Sequence, residues 1–244
     1  MNHLEGEPQF IPEPSEVEKT KGREISVHLF RHGQARYESS EDFGGRLTDE
    51  GKLQAKKAAE DLFDLLGQDE VVVFYVSPIS RAQETATIMQ ETLKSLSEVR
   101  EKAIQFLAPR TRQELRDVII RDPSSIIELM KSGEKDIVGR WFEIGGEHPK
   151  KAETPKEVSQ RFQQLLNRFY KLSQRLSTGP KIHFIGITHE EVPALLSEFS
   201  EYPDPSPIRL GNCESIRIDF SERKETPPRL RFRGSEYRMK IGGE

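Results

Sequence analysis

Three short apolar segments rich in β-branched and aromatic residues, at residues 25–30, 71–76 and 182–187, alternate along the chain with stretches whose apolar residues recur at helical spacing. That alternation leaves few folds open. Strands buried on both faces read as continuous apolar runs, and strand–helix–strand units bring such strands together in parallel with helices on the faces. After Thr48-Asp49-Glu50-Gly51, the residues Leu53, Ala55, Ala58, Ala59, Leu62, Phe63 and Leu66 form one helical face, and Gly67 follows as a stop. A second helix is predicted over 80–96, with Ala82, Ala86, Met89 and Leu93 inward. A long amphipathic helix follows over 155–176 and a short one over 192–199. Residues 102–106 read as a further strand, while 214–220 and 229–233 alternate apolar and polar as half-exposed strands do. The expected fold is α/β, a three-layer sandwich whose mostly parallel central sheet is flanked by helices.

The same pattern sets boundaries. Residues 1–23 are rich in proline and glutamate and poor in large apolar side chains, so a disordered tail is expected there. One domain should occupy 24–236, with a frayed C-terminus over 237–244. Between 107 and 152 the periodicity weakens, which predicts short helices and loops. A chain of 244 residues can bury a single core. Its longest apolar run, six residues at 71–76, is far below the roughly 20 that a membrane helix needs. The start, Met1-Asn2-His3-Leu4-Glu5-Gly6, has neither the basic head nor the apolar stretch of a secretory signal. Cys213 is the only cysteine, so neither an intramolecular disulfide nor a multi-cysteine zinc site can form. A cytoplasmic protein is expected. With 37 basic and 41 acidic residues there is no broad basic excess, so neither nucleic acid nor membrane is an expected partner, while a local pocket for a small anion is compatible.

Two of the strands end alike. Residues 25–30 run into Arg31-His32-Gly33-Gln34, and 182–187 into Thr188-His189-Glu190-Glu191. In a parallel sheet, ligands bind at the carboxyl ends of strands. A third strand end, after Val76, leads through Ser77-Pro78 to Arg81 at a helix start. Two histidines and two arginines from three strand ends would build a small positive pocket suited to a phosphoryl dianion. Taken singly, each residue also has a plain reading: a strand-end histidine is often structural, Arg31 can be a surface charge, and Arg81 can pair with Glu84. His28 and His183, inside strands, read as core histidines, and Trp141 and Phe142 as packing residues or lining of the pocket mouth.

Phe30-Arg31-His32-Gly33-Gln34 with Leu47-Thr48-Asp49-Glu50-Gly51 and Gln54-Ala55 resembles the opening blocks of the histidine phosphatase superfamily, the phosphoglycerate-mutase-like group. Residues 77–86, Ser-Pro-Ile-Ser-Arg-Ala-Gln-Glu-Thr-Ala, are similar to its second block, Ile187-Thr188-His189 to its last, and Ala152-Glu153-Thr154-Pro155 with Arg161 to the segment before its long helix. The resemblance implies a phosphoglycerate-mutase-like fold and a phosphatase that hydrolyses a phosphomonoester, with no metal or cofactor. His32 would be the nucleophile that forms a phosphohistidine, its tautomer fixed by a backbone carbonyl. Arg31 and Arg81 would hold the phosphoryl oxygens, with a protonated His189 as a further donor. It implies a carboxylic acid after the third strand that protonates the leaving oxygen. Glu114 stands where that acid is expected, reads equally well as a solvated residue paired with Arg110 or Lys131, and has Asp117 and Glu143 as alternatives. Gln34, Arg36, Thr188 and Glu190 complete the implied substrate-binding set, for a small phosphorylated molecule or a phosphoprotein. Two departures matter. Gln34-Ala35-Arg36-Tyr37 replaces the mutases' pattern, which favours net hydrolysis over phosphoglycerate-type transfer. Glu190-Glu191 replaces small residues after the second histidine, which would repel a strongly anionic substrate tail, damp turnover toward a pure phosphate-binding module, or else face away from the site. Against the family's phosphatases, the resemblance also implies an insertion over about 107–152 that caps the pocket and sets substrate choice.

Overall fold

In the computed structural model, residues 24–37, 44–122, 137–144, 152–176, 178–203, 208–221 and 226–241 are described. In chain order the elements are β1 (Ile25–Arg31), β2 (Ala35–Arg36), β3 (Arg46–Leu47), α1 (Asp49–Leu65), β4 (Glu70–Val76), α2 (Ser80–Val99), β5 (Ile104–Phe106), β6 (Arg110–Thr111), α3 (Ile137–Ile144), α4 (Pro155–Arg175), β7 (Ile182–Thr188), α5 (Glu191–Ala194), β8 (Ser215–Phe220), β9 (Arg229–Phe232) and β10 (Ser235–Arg238). Single 3-10 turns lie at Gln113–Leu115 and Leu195–Ser197.

The sheet runs β10-β9-β8-β1-β7-β4-β5, with β6 also on β4. Its central strands are parallel. β7 pairs with β1 on one side and β4 on the other, and the register places Arg31 opposite Thr188 and Val76 opposite Ile187. Three strand ends therefore finish at one level, and the residues just past them converge. The edge formed by β8, β9 and β10 is antiparallel.

Alternation along the strands sends side chains to two cores. On one face Val27, Leu29, Val73, Phe184 and Ile218 pack against α4 through Phe162, Leu165, Leu166 and Phe169. On the other, Phe30, Val72, Phe74, Ile185 and Ile187 pack against α1 and α2 through Ala59, Phe63, Ala82 and Met89. This is the α/β three-layer arrangement read from the sequence. Two of the three long helices among the described residues, α1 and α4, start on side-chain caps. Thr48 accepts a bond from the Gly51 amide, and Thr154 with Glu157 forms a full capping box with Pro155 at the first position.

The loop after β1 is fixed by glycine. Gly33 packs against Gly51 at the start of α1: a Cβ on Gly33 would stand 2.5 Å from the Gly51 carbonyl oxygen, and one on Gly51 only 2.1 Å from that of Gln34. Backbone meets backbone here, with the Thr48 amide bonded to the Gln34 carbonyl at 3.0 Å.

Several expectations are corrected. Leu53 is 60% exposed, because the close approach at Gly51 rotates the first turn of α1 so that Gly51 and Ala55, rather than Leu53, face inward. The predicted short helix over 192–199 is one α turn continued as a 3-10 turn. The fraying expected over 237–244 is corrected for 237–241, and 242–244 lie outside the described residues. Tyr237 and Arg238 belong to β10, and Met239 and Ile241 are buried in the core. The apolar side chains of this strand edge need that cover. Within the expected cap, residues 107–117 are tied to the sheet: β6 extends its edge and Leu115 is fully buried. The remainder of the expected cap at 123–136 and 145–151, and the expected tail at 1–23, lie outside the described residues. Among the described residues, no helix is long and apolar enough to cross a membrane.

Candidate active site

His32 follows β1, and its backbone amide bonds to the Thr188 carbonyl at 3.0 Å, which ties it to the end of β7. Arg81 lies in the first turn of α2, just past the end of β4. Its Nε donates to His32 Nε2 at 2.9 Å, its Nη1 to the Gly44 carbonyl at 3.0 Å, and its Nη2 to His189 Nδ1 at 3.0 Å and to Asp117 Oδ2 at 2.9 Å. A guanidinium only donates. Nε2 of His32 and Nδ1 of His189 are therefore both acceptors, and both rings are neutral. The proton of His32 sits on Nδ1, which donates to the Gly33 carbonyl at 2.8 Å. That of His189 sits on Nε2, which donates to Ser77 Oγ at 2.8 Å. The two rings stand 5.1 Å apart, centre to centre.

The electrostatics agree with those tautomers. Burial, then the Arg81 charge, lowers the His32 pKa to about 3, against the opposing bond to Gly33. The same two causes hold His189 well below its ordinary value. The expectation of a protonated His189 is thus corrected for the ligand-free pocket. A carboxyl group there behaves in the opposite sense. Burial raises the Asp117 pKa although the Arg81 charge and hydrogen bond pull it down. Burial, then the Asp117 charge, also raises Glu191, whose Oε2 is buried with no hydrogen-bond partner.

Of the sequence-predicted site residues, His32, Arg81 and His189 are joined in one hydrogen-bonded cluster. Arg31 stands beside it. Its Nη1 reaches the Leu210 carbonyl at 2.8 Å and Glu190 Oε2 at 2.9 Å, while its buried Nε has no acceptor. Glu190 also holds Arg209, Oε1 to Nη1 at 2.7 Å, and so bridges two arginines. Glu114 does not join the cluster. Its largely buried carboxylate is paired with Arg168 on α4; the carboxylate that meets Arg81 is Asp117. Thr188 is fully buried and its hydroxyl donates to the Leu115 carbonyl at 2.7 Å, a structural bond rather than a pocket-facing one. Gln34 is used in the loop: its side-chain oxygen accepts from Thr48 Oγ1 at 2.8 Å, and its amide donates to Gln54 Oε1 at 2.9 Å. Arg36 is exposed on β2, outside the cluster. Glu143 lies on α3, and its side chain is outside the described residues. Glu84 accepts from the Leu47 amide at 3.0 Å instead of pairing with Arg81.

Ser77 and the Gly44 carbonyl, which the sequence reading did not single out, complete the cluster. No local period singles out Asp117, because Leu115 ends a 3-10 turn rather than lying in an extended strand. His28 and His183 are core histidines, bonded to each other at 3.0 Å. Among the described residues, no group of three or more His, Cys, Asp or Glu side chains is placed to hold a metal ion.

The pocket thus gathers a buried neutral imidazole whose Nε2 accepts from a guanidinium, a second arginine beside it, and a carboxyl of raised pKa. The family model of the histidine phosphatase superfamily (branch 1) matches residues 27–231, and the chain belongs to that superfamily. No curated protein sequence matches the chain. Among solved structures, the fold is similar to a mycobacterial glucosyl-3-phosphoglycerate phosphatase (19% identity, 81% of this chain and 91% of that one, TM-score 0.54). It is similar also to a phosphoglycerate mutase from Bacillus anthracis (14% identity, 84% and 91%, TM-score 0.56) and to YhfR of Bacillus stearothermophilus (18% identity, 80% and 90%, TM-score 0.55). The phosphoglycerate-mutase-like fold is thereby shown, and the superfamily supports a phosphatase or mutase enzyme.

Proposed function

We propose that the chain is a metal-independent phosphatase that hydrolyses a phosphomonoester through a phosphohistidine on His32. One observation carries this reading: the Gly33 carbonyl holds the His32 proton on Nδ1, so Nε2 keeps its lone pair, shared here with Arg81 Nε, in a ring that stays neutral down to about pH 3. In the first step Nε2 bonds to phosphorus as the P–O bond to the leaving alcohol breaks, and the Asp117 carboxyl gives that oxygen its proton. Water then attacks phosphorus, Asp117 takes one of its protons, and the P–N bond breaks with its electron pair returning to Nε2. Inorganic phosphate leaves.

The charge that accumulates on the phosphoryl oxygens needs donors already in place. Arg81 would turn its Nε from His32 to a phosphoryl oxygen, and the acceptor-less Nε of Arg31 would gain a partner there. Both arginines are planar forks matched to such oxygens. Asp117 replaces Glu114 as the proposed acid. The substrate is a small phosphorylated molecule or a phosphoprotein, handled in the cytoplasm.

Phosphate release from a panel of phosphomonoesters, with EDTA present, tests the reading. Release by the wild type that is lost in His32→Ala is the expected result, by at least about 10³-fold for loss of a nucleophile. Equal release by both proteins would remove His32 from the mechanism. Transfer of phosphate between positions of a phosphoglycerate, without release, would indicate a mutase, and tight phosphate binding without either a pure binding module.

A further inference from the structure

We propose that Arg161 is a positioning residue that aims the Asp117 carboxyl at the reacting oxygen; this rests on the phosphatase reading above. Arg161 lies on α4, remote in sequence from every group that touches the phosphoryl site. Its Nη2 donates to the Arg116 carbonyl at 2.9 Å and to the Asp117 carbonyl at 3.0 Å. Those carbonyls belong to the two peptide groups that flank the Asp117 Cα, so one nitrogen fixes both planes and with them the direction of the Asp117 side chain. Nη1 donates to the Glu114 carbonyl at 2.7 Å, which holds the preceding turn. The guanidinium is itself anchored by Glu153, Nε to Oε1 at 2.8 Å and Nη2 to Oε2 at 3.1 Å, and Glu153 Oε2 also accepts from the Ile119 amide at 3.1 Å.

The segment carrying Asp117 has little regular structure of its own, only the 3-10 turn at Gln113–Leu115 and the isolated bridge from Ile120 to Ala152. Its conformation therefore depends on these side-chain bonds. A general acid works only within hydrogen-bond reach of the oxygen it protonates, and displacements near 1 Å are costly. Lysine cannot replace the fork, since one ammonium cannot span a carboxylate and three carbonyls in that plane.

The test compares wild type, Arg161→Lys and Glu153→Gln on two esters, p-nitrophenyl phosphate, whose anion leaves without a proton, and phenyl phosphate or an alkyl phosphate, whose oxygen needs one. The positioning role requires kcat/KM to fall at least tenfold more on the poor leaving group than on p-nitrophenyl phosphate in Arg161→Lys. The same bias, smaller, is expected in Glu153→Gln. Combining Arg161→Lys with Asp117→Asn should add no further bias. Equal losses on both esters, with a lowered Tm, would reduce Arg161 to a structural residue. A readout that needs no turnover accompanies this: carboxyl ¹³C NMR of Asp117, which faces Arg81, Arg116, Arg161 and Glu191. Its titration should shift in Arg161→Lys, and an unchanged titration overturns the proposal. A wild type that hydrolyses neither ester while the titration shifts would instead overturn the phosphatase reading and leave the positioning standing.

Discussion

At the scale of single residues, one guanidinium organises the site. Arg81 sets the tautomers of two histidines and holds a carboxyl, and each of those partners is buried enough for the contact to matter. The raised pKa of Asp117 has a direct consequence. An acid must carry its proton to be useful, so activity on poor leaving groups should decline as pH rises through the Asp117 pKa, which burial raises above that of a free aspartate. His32, neutral from about pH 3 upward, contributes no such limb in that window. Asp117→Asn should abolish the limb and lower kcat on an alkyl phosphate by about 10²–10⁴, with a smaller loss on p-nitrophenyl phosphate. A pH profile of kcat/KM for the two proteins checks this, and an unchanged limb in the variant would assign the acid elsewhere, Glu191 being the other raised carboxyl nearby.

At the scale of elements, the site depends on how strand ends and helix starts are joined. The in-register pairing of β1, β7 and β4 brings His32, His189 and Ser77 to one level, and the Gly33–Gly51 contact locks the loop carrying His32 onto α1. Gly51→Ala places a methyl group 2.1 Å from a backbone oxygen, which no side-chain rotation can relieve. The expected cost is about 1–3 kcal/mol of stability, as for overpacked interiors, together with a lower kcat because the His32 loop must shift. Urea unfolding and steady-state kinetics measure the two parts. Full activity in a stable Gly51→Ala protein would show that the close approach is dispensable.

At the scale of the whole molecule, four histidines among the described residues are buried and all have lowered pKa values: His28, His32, His183 and His189. Burial is the first cause in each. In the unfolded chain they titrate near 6.5, so below that pH the unfolded state binds more protons and stability falls as pH falls. For His32 the contribution is complete above about 6.5 and lost toward about 3. Asp117 and Glu191, with raised pKa values, act in the opposite sense. They favour the folded form at low pH and lose that contribution as pH rises through their folded values. The histidine effect is therefore clearest between pH 6.5 and 5, where each buried neutral ring adds up to about 1.4 kcal/mol per pH unit. Stability from urea titrations should drop across that interval, and a flat profile would mean that the rings are already protonated or exposed.

The sequence by itself determined the layers. Short, mostly apolar segments at β1, β4 and β7 put large apolar side chains on both faces, so helices had to cover both sides of a parallel sheet, and the caps at Thr48 and Thr154 placed two helix starts. It also placed His32, Arg81 and His189 near one another, because residues just past parallel strand ends share a level whatever the loops do. The tertiary structure alone decided which carboxyl joins them. Glu114 and Asp117 differ by three positions in an irregular segment with no period to read, and only contacts with distant residues, the grip of Arg161 among them, turn one to Arg168 and the other to Arg81. It likewise decided that Thr188 and Gln34 serve the scaffold and that Met239 and Ile241 are covered, because such outcomes depend on contacts between residues distant in sequence. Local pattern governs what a segment can become; long-range packing governs what its side chains finally touch.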